Sequence, residues 1–180
     1  MEKSLVLKKD ILSAFAELGI KKGQTIEVHT SLSSFGFVCG GAQIVIEALL
    51  ESVGEEGTIL MPTQSWKNLD PSTGVHWEEP EEWWQIIRDN WPAYNKDITP
   101  TNTMGAVAEM FRKWPGALRS DHPARSVAAW GKPQNILLLI MIYQISLVKA
   151  LQLENFMNLI VMCYFWELVT TKIHQFTLLM

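Results

Sequence analysis

The amino-acid sequence predicts a layered α/β fold, because a strand, a helix and a second strand follow one another within residues 25–61. Parallel strands joined by a helix are typical of such folds. A second observation concerns the turn residues: all eleven glycines and all eight prolines lie at or before Pro133. Since chain reversals need these residues, we expect one domain over 1–133 and a different, apolar tail over 134–180.

The first elements each carry a separate signal. Apolar residues between 5 and 18 recur at helical spacing, and Gly19 follows as a natural helix end. The next run, Thr25–His29, alternates apolar and polar residues, which predicts a strand followed by a loop rich in hydroxyl side chains. A helical pattern over 42–53 ends at Gly54, and a short apolar run over 58–61 is closed by Pro62. Together these elements form one βαβ unit.

The later elements are shorter. Pro80 and the two glutamates after it open a helix predicted to run to about Asn90, since proline and acidic residues are favourable in a first turn. Another helix is predicted over 104–114, and 126–130 has the pattern of a short buried strand. Ligands of layered α/β folds usually bind beyond the carboxyl ends of the strands. Residues 29–41 occupy such a position.

Charge and cysteine usage exclude several classes of function. The net charge is −4 at pH 7 and there is no basic stripe, so we expect no nucleic-acid partner, and a cationic small ligand fits better. Cys39 and Cys163 suggest no disulfide framework, and no histidine, cysteine or carboxylate group has metal-ligand spacing, so we expect no metal. The first residues lack an apolar signal core, which predicts a cytoplasmic protein.

Residues 136–166 raise the question of a membrane span. Lys149 and Glu154 lie within this apolar segment, and a central charge in hydrocarbon costs roughly 2.5–3.5 kcal/mol. We therefore expect no span. A membrane-associated protein is kept as the less favoured alternative.

The loop after the first predicted strand combines hydroxyl side chains with Gly40-Gly41 directly before a helix. Backbone amides at a helix N-terminus suit a phosphate or pyrophosphate. The loop has neither a Walker nor a GxGxxG pattern, however, and an ordinary βα connection is the alternative. His29 beside three serines also raises the alternative of a serine hydrolase. No G-x-S-x-G elbow surrounds those serines, so a histidine that orients the loop is preferred.

Acidic and aromatic residues cluster over 77–84. Carboxylates and tryptophan rings could line a pocket for a polycation, through ion pairs and cation–π contacts. The same pattern could instead be a solvated helix start whose tryptophans lie in the core. The sequence leaves both interpretations open.

Several motifs together resemble the aminoglycoside 3-N-acetyltransferase family over about the first 130 residues. They are H-T-S-L-S-S-F-G from His29, G-G-A from Gly40, G-T-I-L-M-P-T-Q from Gly57, P-A-Y from Pro92, T-P-T from Thr99, M-G from Met104, R-S-D-H-P from Arg119 and A-A-W-G from Ala128. The resemblance implies a layered α/β/α sandwich of the antibiotic N-acetyltransferase type, incomplete at the C-terminus. It also implies acetyl-CoA as the donor and the 3-amino group of an aminoglycoside, or a related polyamine, as the acceptor.

The resemblance assigns candidate site residues. The coenzyme is expected along the first motif and two later positions, namely His29, Thr30, Ser31, Leu32, Ser33, Ser34, Phe35, Gly36, Thr101 and Met104. The acidic and aromatic pattern over 77–84, separately from the resemblance, leads us to expect the cationic acceptor at Glu81, Glu82 and Trp84, with Tyr94 as a further candidate. The family's catalytic base is a histidine in a later N-T-S-x-H-L-A-E motif that this sequence lacks. The base is therefore unassigned, with His122 as a substitute that its spacing does not support.

The apolar tail leads to a further hypothesis. Back-translation of 148–158 and 164–179 with permitted codons, read two nucleotides along, allows G-E-G-S-P-I-R-K-F-Y-E and F-L-G-V-G-Y-D-K-N-T-S-I-H-F-A. These strings resemble the missing motifs in the right order. We therefore expect a frameshift between Pro133 and Leu139, an out-of-frame tail, and acetyl transfer impaired by loss of the catalytic-histidine segment. The alternative is a non-catalytic fragment that binds coenzyme A. The sequence makes no prediction about oligomeric state.

Overall fold

The computed structural model describes residues 4–74 and 76–132 and the backbone of 161–164. The strands are β1 Leu5–Val6, β2 Thr25–His29, β3 Phe37–Val38, β4 Thr58–Pro62, β5 Leu118–Arg119, β6 Val127–Gly131 and β7 Val161–Tyr164. The helices are α1 Lys8–Glu17, α2 Gly41–Val53, α3 Trp84–Asn90 and α4 Gly105–Phe111. The main sheet has the order β5-β6-β4-β2-β7, and β1 pairs with β3 separately. This alternation of strands and helices confirms the α/β class.

The predicted βαβ unit forms the centre of the sheet. β2 and β4 are parallel, with Thr25 opposite Thr58, and α2 connects them. β6 runs antiparallel to β4, with Ile59 opposite Trp130. Because β2 and β4 are parallel neighbours, the segments that follow them leave the sheet at the same edge.

The core lies on the helix-covered face of this sheet. Ile26 and Val28 of β2 are fully buried there, while the alternate residue Glu27 is only partly buried. The largest core side chains from the helices and from β4 are Ile11, Phe15, Ile46, Leu49, Ile59, Met61 and Phe111. The alternation that predicted β2 is therefore the alternation between this core and the opposite face of the sheet.

Helix α1 ends as the sequence predicts. Gly19 adopts a left-handed conformation with φ +82°. Its N–H donates to the Ala16 carbonyl at 3.0 Å, and the Ile20 N–H donates to the Phe15 carbonyl at 3.0 Å. These two bonds satisfy carbonyl groups that the last helical turn leaves without partners, and glycine adopts the required φ without steric cost.

The start of α1 differs from the prediction. Leu5–Val6 is a strand, held to β3 because the Cys39 N–H donates to the Val6 carbonyl at 2.9 Å. The helix begins at Lys8, where the Asp10 carboxylate accepts the Leu7 N–H at 2.9 Å. The apolar spacing did not separate the strand from the helix, because the strand's pairing partner, β3, lies more than thirty residues away in the sequence.

The later elements are confirmed with shifted bounds. A 3-10 helix at Glu81–Trp83 precedes α3, α4 ends at Phe111, and β6 begins one residue later than predicted. The sequence did not predict the short strands β1, β3 and β5. It did not predict β7 either. β7 pairs in parallel with β2, whose free backbone groups at the sheet edge can pair with any extended segment.

The described residues include no helix that is long and apolar enough to cross a membrane. The segment 136–166, on which the membrane-associated alternative depends, lies outside the described residues except for the backbone of β7. The same holds for the proposed out-of-frame tail at 134–180.

Candidate functional site

The predicted coenzyme loop begins at the carboxyl end of β2. Its middle forms a 3-10 helix, Leu32–Phe35, with Phe35 buried in the core and Leu32 packed against it. His29, Ser33 and Gly36 are exposed, and Thr30, Ser31 and Ser34 are partly buried. The loop is therefore anchored by its apolar side chains and presents its polar ones toward solvent.

Three serine hydroxyls of the loop are neighbours. Ser34 Oγ donates to Ser31 Oγ at 3.2 Å, and Ser31 Oγ lies 3.2 Å from Ser33 Oγ. His29 Nε2 lies 3.3 Å from Glu27 Oε1, two residues back on the same face of β2. The structure thus places His29 beside a carboxylate and the serines beside one another. Such hydroxyls can turn toward an anionic ligand, because each is both donor and acceptor.

The end of the loop requires glycine. Gly36 has φ +86°, and a Cβ atom built there would lie 2.5 Å from Ser4 Oγ and 2.8 Å from the Ser4 carbonyl oxygen. The close approach matters because the Phe37 N–H donates to that same carbonyl at 2.9 Å, which starts the pairing of β3 with β1. Gly36 therefore fixes where the loop turns back into the small sheet.

The two later coenzyme positions lie beside this loop. A Cβ atom on Gly105 would be 3.8 Å from the Thr30 carbonyl oxygen, so the start of α4 touches the loop. Met104 is partly buried and packs against the hydrophobic core, as Leu32 of the loop also does. Thr101 is partly buried, and its N–H donates to Glu109 Oε2 at 2.8 Å. The structure thus brings the start of α4, at Gly105, against Thr30 of the loop. Coenzyme binding by Thr101 and Met104 stays a prediction.

The segment 101–105 is also tied to the end of β4. The Asn102 N–H donates to the Gln64 carbonyl at 2.8 Å, and Asn102 Oδ1 accepts the Lys67 N–H at 3.1 Å. Thr103 follows with φ +61°. A β-branched residue with positive φ is strained by about 1–3 kcal/mol, and such strain persists where surrounding contacts hold the backbone in that conformation. The bonds of Asn102 supply those surroundings.

The sequence analysis missed a buried arginine that organises this region. Arg119 is 6% exposed, and its five N–H groups all meet neutral oxygens. Nε donates to Ser126 Oγ at 3.1 Å. One terminal nitrogen donates to Thr63 O and to Ser65 Oγ, at 2.6 Å each. The other terminal nitrogen donates to Lys96 O at 3.3 Å and to Thr99 O. Burial lowers the pKa of the Arg119 guanidinium. Arginine in the R-S-D-H-P motif was a visible signal, but its partners are distant in the chain.

A second arginine, Arg112, holds the same segment from the α4 side. It donates to both carboxylate oxygens of Glu109, at 2.9 and 2.6 Å, and to the Asp97 carbonyl at 2.9 Å. Burial raises the pKa of Glu109, but hydrogen bonds from Arg112, Lys113 and Thr101 outweigh it and bring the pKa from 4.5 to about 2. Glu109 is therefore a charged structural link.

The predicted acceptor residues lie on a more open part of the molecule. Glu81 and Glu82 are exposed, and Trp83 is 55% exposed. Trp84 is partly buried and donates from Nε1 to the Glu79 carbonyl at 3.1 Å. The tryptophans of this segment are not members of the core, so the core interpretation is wrong, whereas the polycation interpretation stays a prediction.

Aromatic and charged contacts shape the surroundings of this acidic segment. Lys67 Nζ bonds both Glu79 carboxylate oxygens at 2.9 Å and lies 4.3 Å from the centre of the Trp77 ring, while Trp77 meets Trp91 edge-on at 5.2 Å. A lysine ammonium between a carboxylate and an indole face shows the chemistry that a ligand's amino group could use there.

Tyr94 is joined to Arg119. Its hydroxyl donates to the Ser120 carbonyl at 2.8 Å, and the Arg119 guanidinium lies 5.2 Å from its ring centre. The Tyr94 phenol is therefore engaged in holding the start of the 94–102 segment.

His122 lies in the turn between β5 and β6. Its Nδ1 atom accepts two backbone N–H groups, from Ala124 at 3.2 Å and from Arg125 at 2.9 Å. In the neutral ring this arrangement places the proton on Nε2. Neither ring nitrogen then offers a free lone pair, which argues for a turn-forming role.

No group of three or more histidine, cysteine or carboxylate residues within 4–74 and 76–132 could hold a metal ion. Hydroxyl groups and backbone amides of the loop are the groups suited to a phosphorylated ligand.

Comparison with known proteins identifies a single family. The sequence profile described as aminoglycoside 3-N-acetyltransferase matches residues 28–138. The SPbeta prophage-derived aminoglycoside N(3')-acetyltransferase-like protein YokD of Bacillus subtilis is 51% identical over 132 residues, which are 73% of this chain and 48% of that protein. Aminoglycoside N(3)-acetyltransferase IX of Micromonospora chalcea is 39% identical over 127 residues, or 70% of this chain and 44% of that protein.

Solved structures give the same result. The crystal structure of YokD from Bacillus subtilis aligns with TM-score 0.66 and 52% identity over 71% of this chain and 51% of that chain. AAC-VIa bound to sisomicin, in a neutron/X-ray structure, aligns with TM-score 0.63 and 30% identity over 76% and 49%. AAC-IIIb in a binary complex with CoASH aligns with TM-score 0.57 and 28% identity over 72% and 47%. The chain thus spans about half the length of the relatives it matches.

Proposed function

Since this chain belongs to the aminoglycoside 3-N-acetyltransferase family, we propose that it carries the coenzyme-binding part of an acetyl-CoA-dependent transfer to the 3-amino group of an aminoglycoside. The observation that carries the proposal is the junction of the 29–36 loop with the start of α4, where Gly105 approaches the Thr30 carbonyl. This junction lies at the carboxyl ends of neighbouring parallel strands, the usual ligand position in α/β sheets.

The donor would be held by polar groups of the loop. The hydroxyls of Ser31, Ser33 and Ser34 and the backbone amides around them can donate to the pyrophosphate of acetyl-CoA. Met104 and Leu32 offer apolar contact to the pantetheine arm. The CoASH complex of AAC-IIIb supports this assignment, since that protein shares the fold of the matched region.

The acceptor would be a polycation. Aminoglycoside amino groups would meet Glu81 and Glu82, with Trp84 and Tyr94 contributing ring surface. The exposed position of these carboxylates and the net charge of −4 favour such a ligand. The sisomicin complex of AAC-VIa supports the ligand class.

The chemistry is a direct transfer. The neutral 3-amino nitrogen attacks the thioester carbonyl carbon, a base takes the proton from that nitrogen, and the C–S bond breaks to release coenzyme A as the thiol or thiolate. The transfer also needs hydrogen-bond donors that stabilise the charge developing on the carbonyl oxygen. The base is the missing part, because His122 uses Nδ1 for two backbone N–H groups. That observation favours a second candidate function, coenzyme binding without transfer.

Two measurements separate the candidates. Titration calorimetry with coenzyme A should show binding by the wild-type chain, and Ser33→Ala should weaken it about tenfold, since a hydrogen bond to a charged group is lost. Ser52→Ala, near the far end of α2, is the matched control and should bind as wild type. Release of free thiol from acetyl-CoA in the presence of sisomicin then distinguishes the transferase from the binding fragment. Failure of the wild-type chain to bind coenzyme A would contradict both.

A further inference from the structure

The geometry around Arg119 points to a role beyond general stability: we propose that Arg119 is a positioning residue that holds the 96–99 segment so that Thr101 and Met104 line the coenzyme cleft. None of its five hydrogen bonds is to the loop 29–36, so Arg119 acts through the 96–99 segment. The inference rests on the proposed function, because the cleft is assigned by that function.

The hydrogen-bond acceptors of Arg119 lie in separate parts of the chain. Two of the five acceptors, the carbonyls of Lys96 and Thr99, belong to the 96–99 segment. The other three, Thr63 O, Ser65 Oγ and Ser126 Oγ, belong to the chain directly after β4 and directly before β6. One rigid guanidinium therefore ties an irregular segment to the end of two sheet strands.

Burial of the Arg119 guanidinium carries a free-energy cost of desolvation. A buried cation is expensive unless every donor is satisfied, and an arginine in this position is surrounded by neutral oxygens instead of a carboxylate. The planar fork provides five donors in fixed directions, which lysine with three donors on one atom cannot reproduce. The arrangement is therefore specific to arginine and sensitive to conservative replacement.

Further hydrogen bonds link the 96–99 segment to the proposed coenzyme cleft. Ser65 Oγ donates to the Pro100 carbonyl at 3.2 Å, and the Asn102 N–H donates to the Gln64 carbonyl at 2.8 Å. Residues 96–102 are thus fixed to 63–65 along their length, and Met104 and Gly105 follow immediately against the coenzyme loop. Release of Lys96 and Thr99 would allow Thr101 and Met104 to shift.

The test uses the full chain and the substitution Arg119→Lys. Trypsin cleavage after Lys96 reports on the tether, because the carbonyl of that scissile bond is an Arg119 acceptor. Cleavage after Lys22, an exposed residue in the turn before β2, serves as the internal reference. We expect cleavage after Lys96 to be about tenfold faster than in wild type, relative to Lys22, because local opening becomes easier.

The second readout is coenzyme A affinity by titration calorimetry. Arg119→Lys should weaken binding about tenfold, whereas Arg125→Lys should change neither readout, because Arg125 is exposed and stacks 5.9 Å from the Trp66 ring centre. Ser65→Ala removes one Arg119 acceptor and the bond to Pro100, and should give a smaller change in the same direction. It keeps the test decisive if Arg119→Lys does not fold.

The outcomes separate this inference from the proposed function. Unchanged cleavage after Lys96 in both variants would overturn the tether. Faster cleavage with unchanged coenzyme affinity would overturn the positioning role, since the contact would then be structural alone. A wild-type chain that does not bind coenzyme A would contradict the proposed function and the positioning role together, and cleavage after Lys96 would then decide the tether alone.

Discussion

His122 shows at the residue scale how a single contact pattern decides between roles. Two backbone N–H groups point at Nδ1, so the ring completes a turn in the way that an Asx side chain does elsewhere. A general base needs a free lone pair within reach of the substrate. The two hydrogen bonds accepted by His122 Nδ1 therefore favour a role in forming the turn.

We expect His122→Ala to lower the free energy of unfolding by about 1 kcal/mol, because both N–H groups of the turn lose their acceptor. His122→Asn should recover most of that loss, since its carboxamide oxygen can accept the same donors. Urea denaturation measures both. A base role would instead appear as loss of thiol release in His122→Asn with stability retained.

Thr63 presents the opposite situation at the same scale. It is fully buried, and its Oγ1 atom has no hydrogen-bond partner among the described residues, although its carbonyl accepts Arg119 and Ser126. A buried hydroxyl without a partner costs roughly 1–3 kcal/mol, whereas an isosteric methyl does not.

Replacement of Thr63 by valine should therefore change the free energy of unfolding by between zero and an increase of about 1 kcal/mol. Thr99→Val is the matched control, because Thr99 Oγ1 accepts the Asn95 N–H at 2.8 Å and its loss should destabilise by about 1 kcal/mol. Chemical denaturation of the two variants gives the comparison. Destabilisation by Thr63→Val as large as that by Thr99→Val would show that the hydroxyl has a partner.

At the scale of elements, the loop 29–36, which we propose binds the coenzyme, is defined by the contacts near its end. Phe35 is buried at one end, and Gly36 directly after it lies against Ser4. The loop therefore depends on the pairing of β1 with β3, an element pair that is small but sets the path of the chain into α2.

The substitution Gly36→Ala tests this anchor. We expect destabilisation of about 1–3 kcal/mol, from the unfavourable φ and from the contact of the new Cβ with Ser4. Gly74→Ala is the matched control, because Gly74 also has positive φ, +65°, but has nothing within 4 Å of the built Cβ. The melting temperature of Gly36→Ala should be lower than that of Gly74→Ala. Equal melting temperatures would contradict the steric contact with Ser4.

The link between α4 and the 96–102 segment has its own pH dependence. The pKa of Glu109 falls from 4.5 to about 2 in the folded chain, so its contribution to stability is present above pH 4.5 and is lost as the pH falls toward 2. Glu109→Gln should therefore destabilise at pH 7 and flatten the loss of stability between pH 4.5 and 2. Denaturation across that range checks this, and an unchanged acid profile would contradict it.

At the scale of the whole molecule, the chain corresponds to about half of each relative it matches. The matched half contains the coenzyme loop, the segment clamped by Arg119 and the acidic aromatic region. The histidine motif that the family resemblance implies is not in the sequence, so the proposed loss of transfer activity is a property of the whole chain and not of a single replaced residue.

We propose that 134–180 is translated out of frame, and the gene can test this directly. Sequencing from the codon of Pro133 onward should show the second frame encoding strings close to G-E-G-S-P and N-T-S-I-H. Restoration of that frame should extend the protein and produce thiol release with sisomicin. A gene whose other frames do not encode these strings would contradict the proposal.

The sequence by itself determined the elements whose signals are local. Alternation defined β2 from Thr25 to His29, Gly19 defined the end of α1, and the strand–helix–strand order defined the α/β class. These features depend on backbone conformation and on the burial of one face, and both are written in neighbouring residues.

The tertiary structure alone decided which residues meet. Arg119 bonds Thr63 and Ser65 across 56 and 54 positions of sequence, and Gly105 approaches Thr30 across an even longer separation in the chain. The Arg119 contacts follow from strand order and register, because β6 and β4 must pair before these groups become neighbours. No local pattern encodes that pairing, and so the hydrogen bonds of Arg119 to the ends of both sheet strands could be seen only in the folded chain.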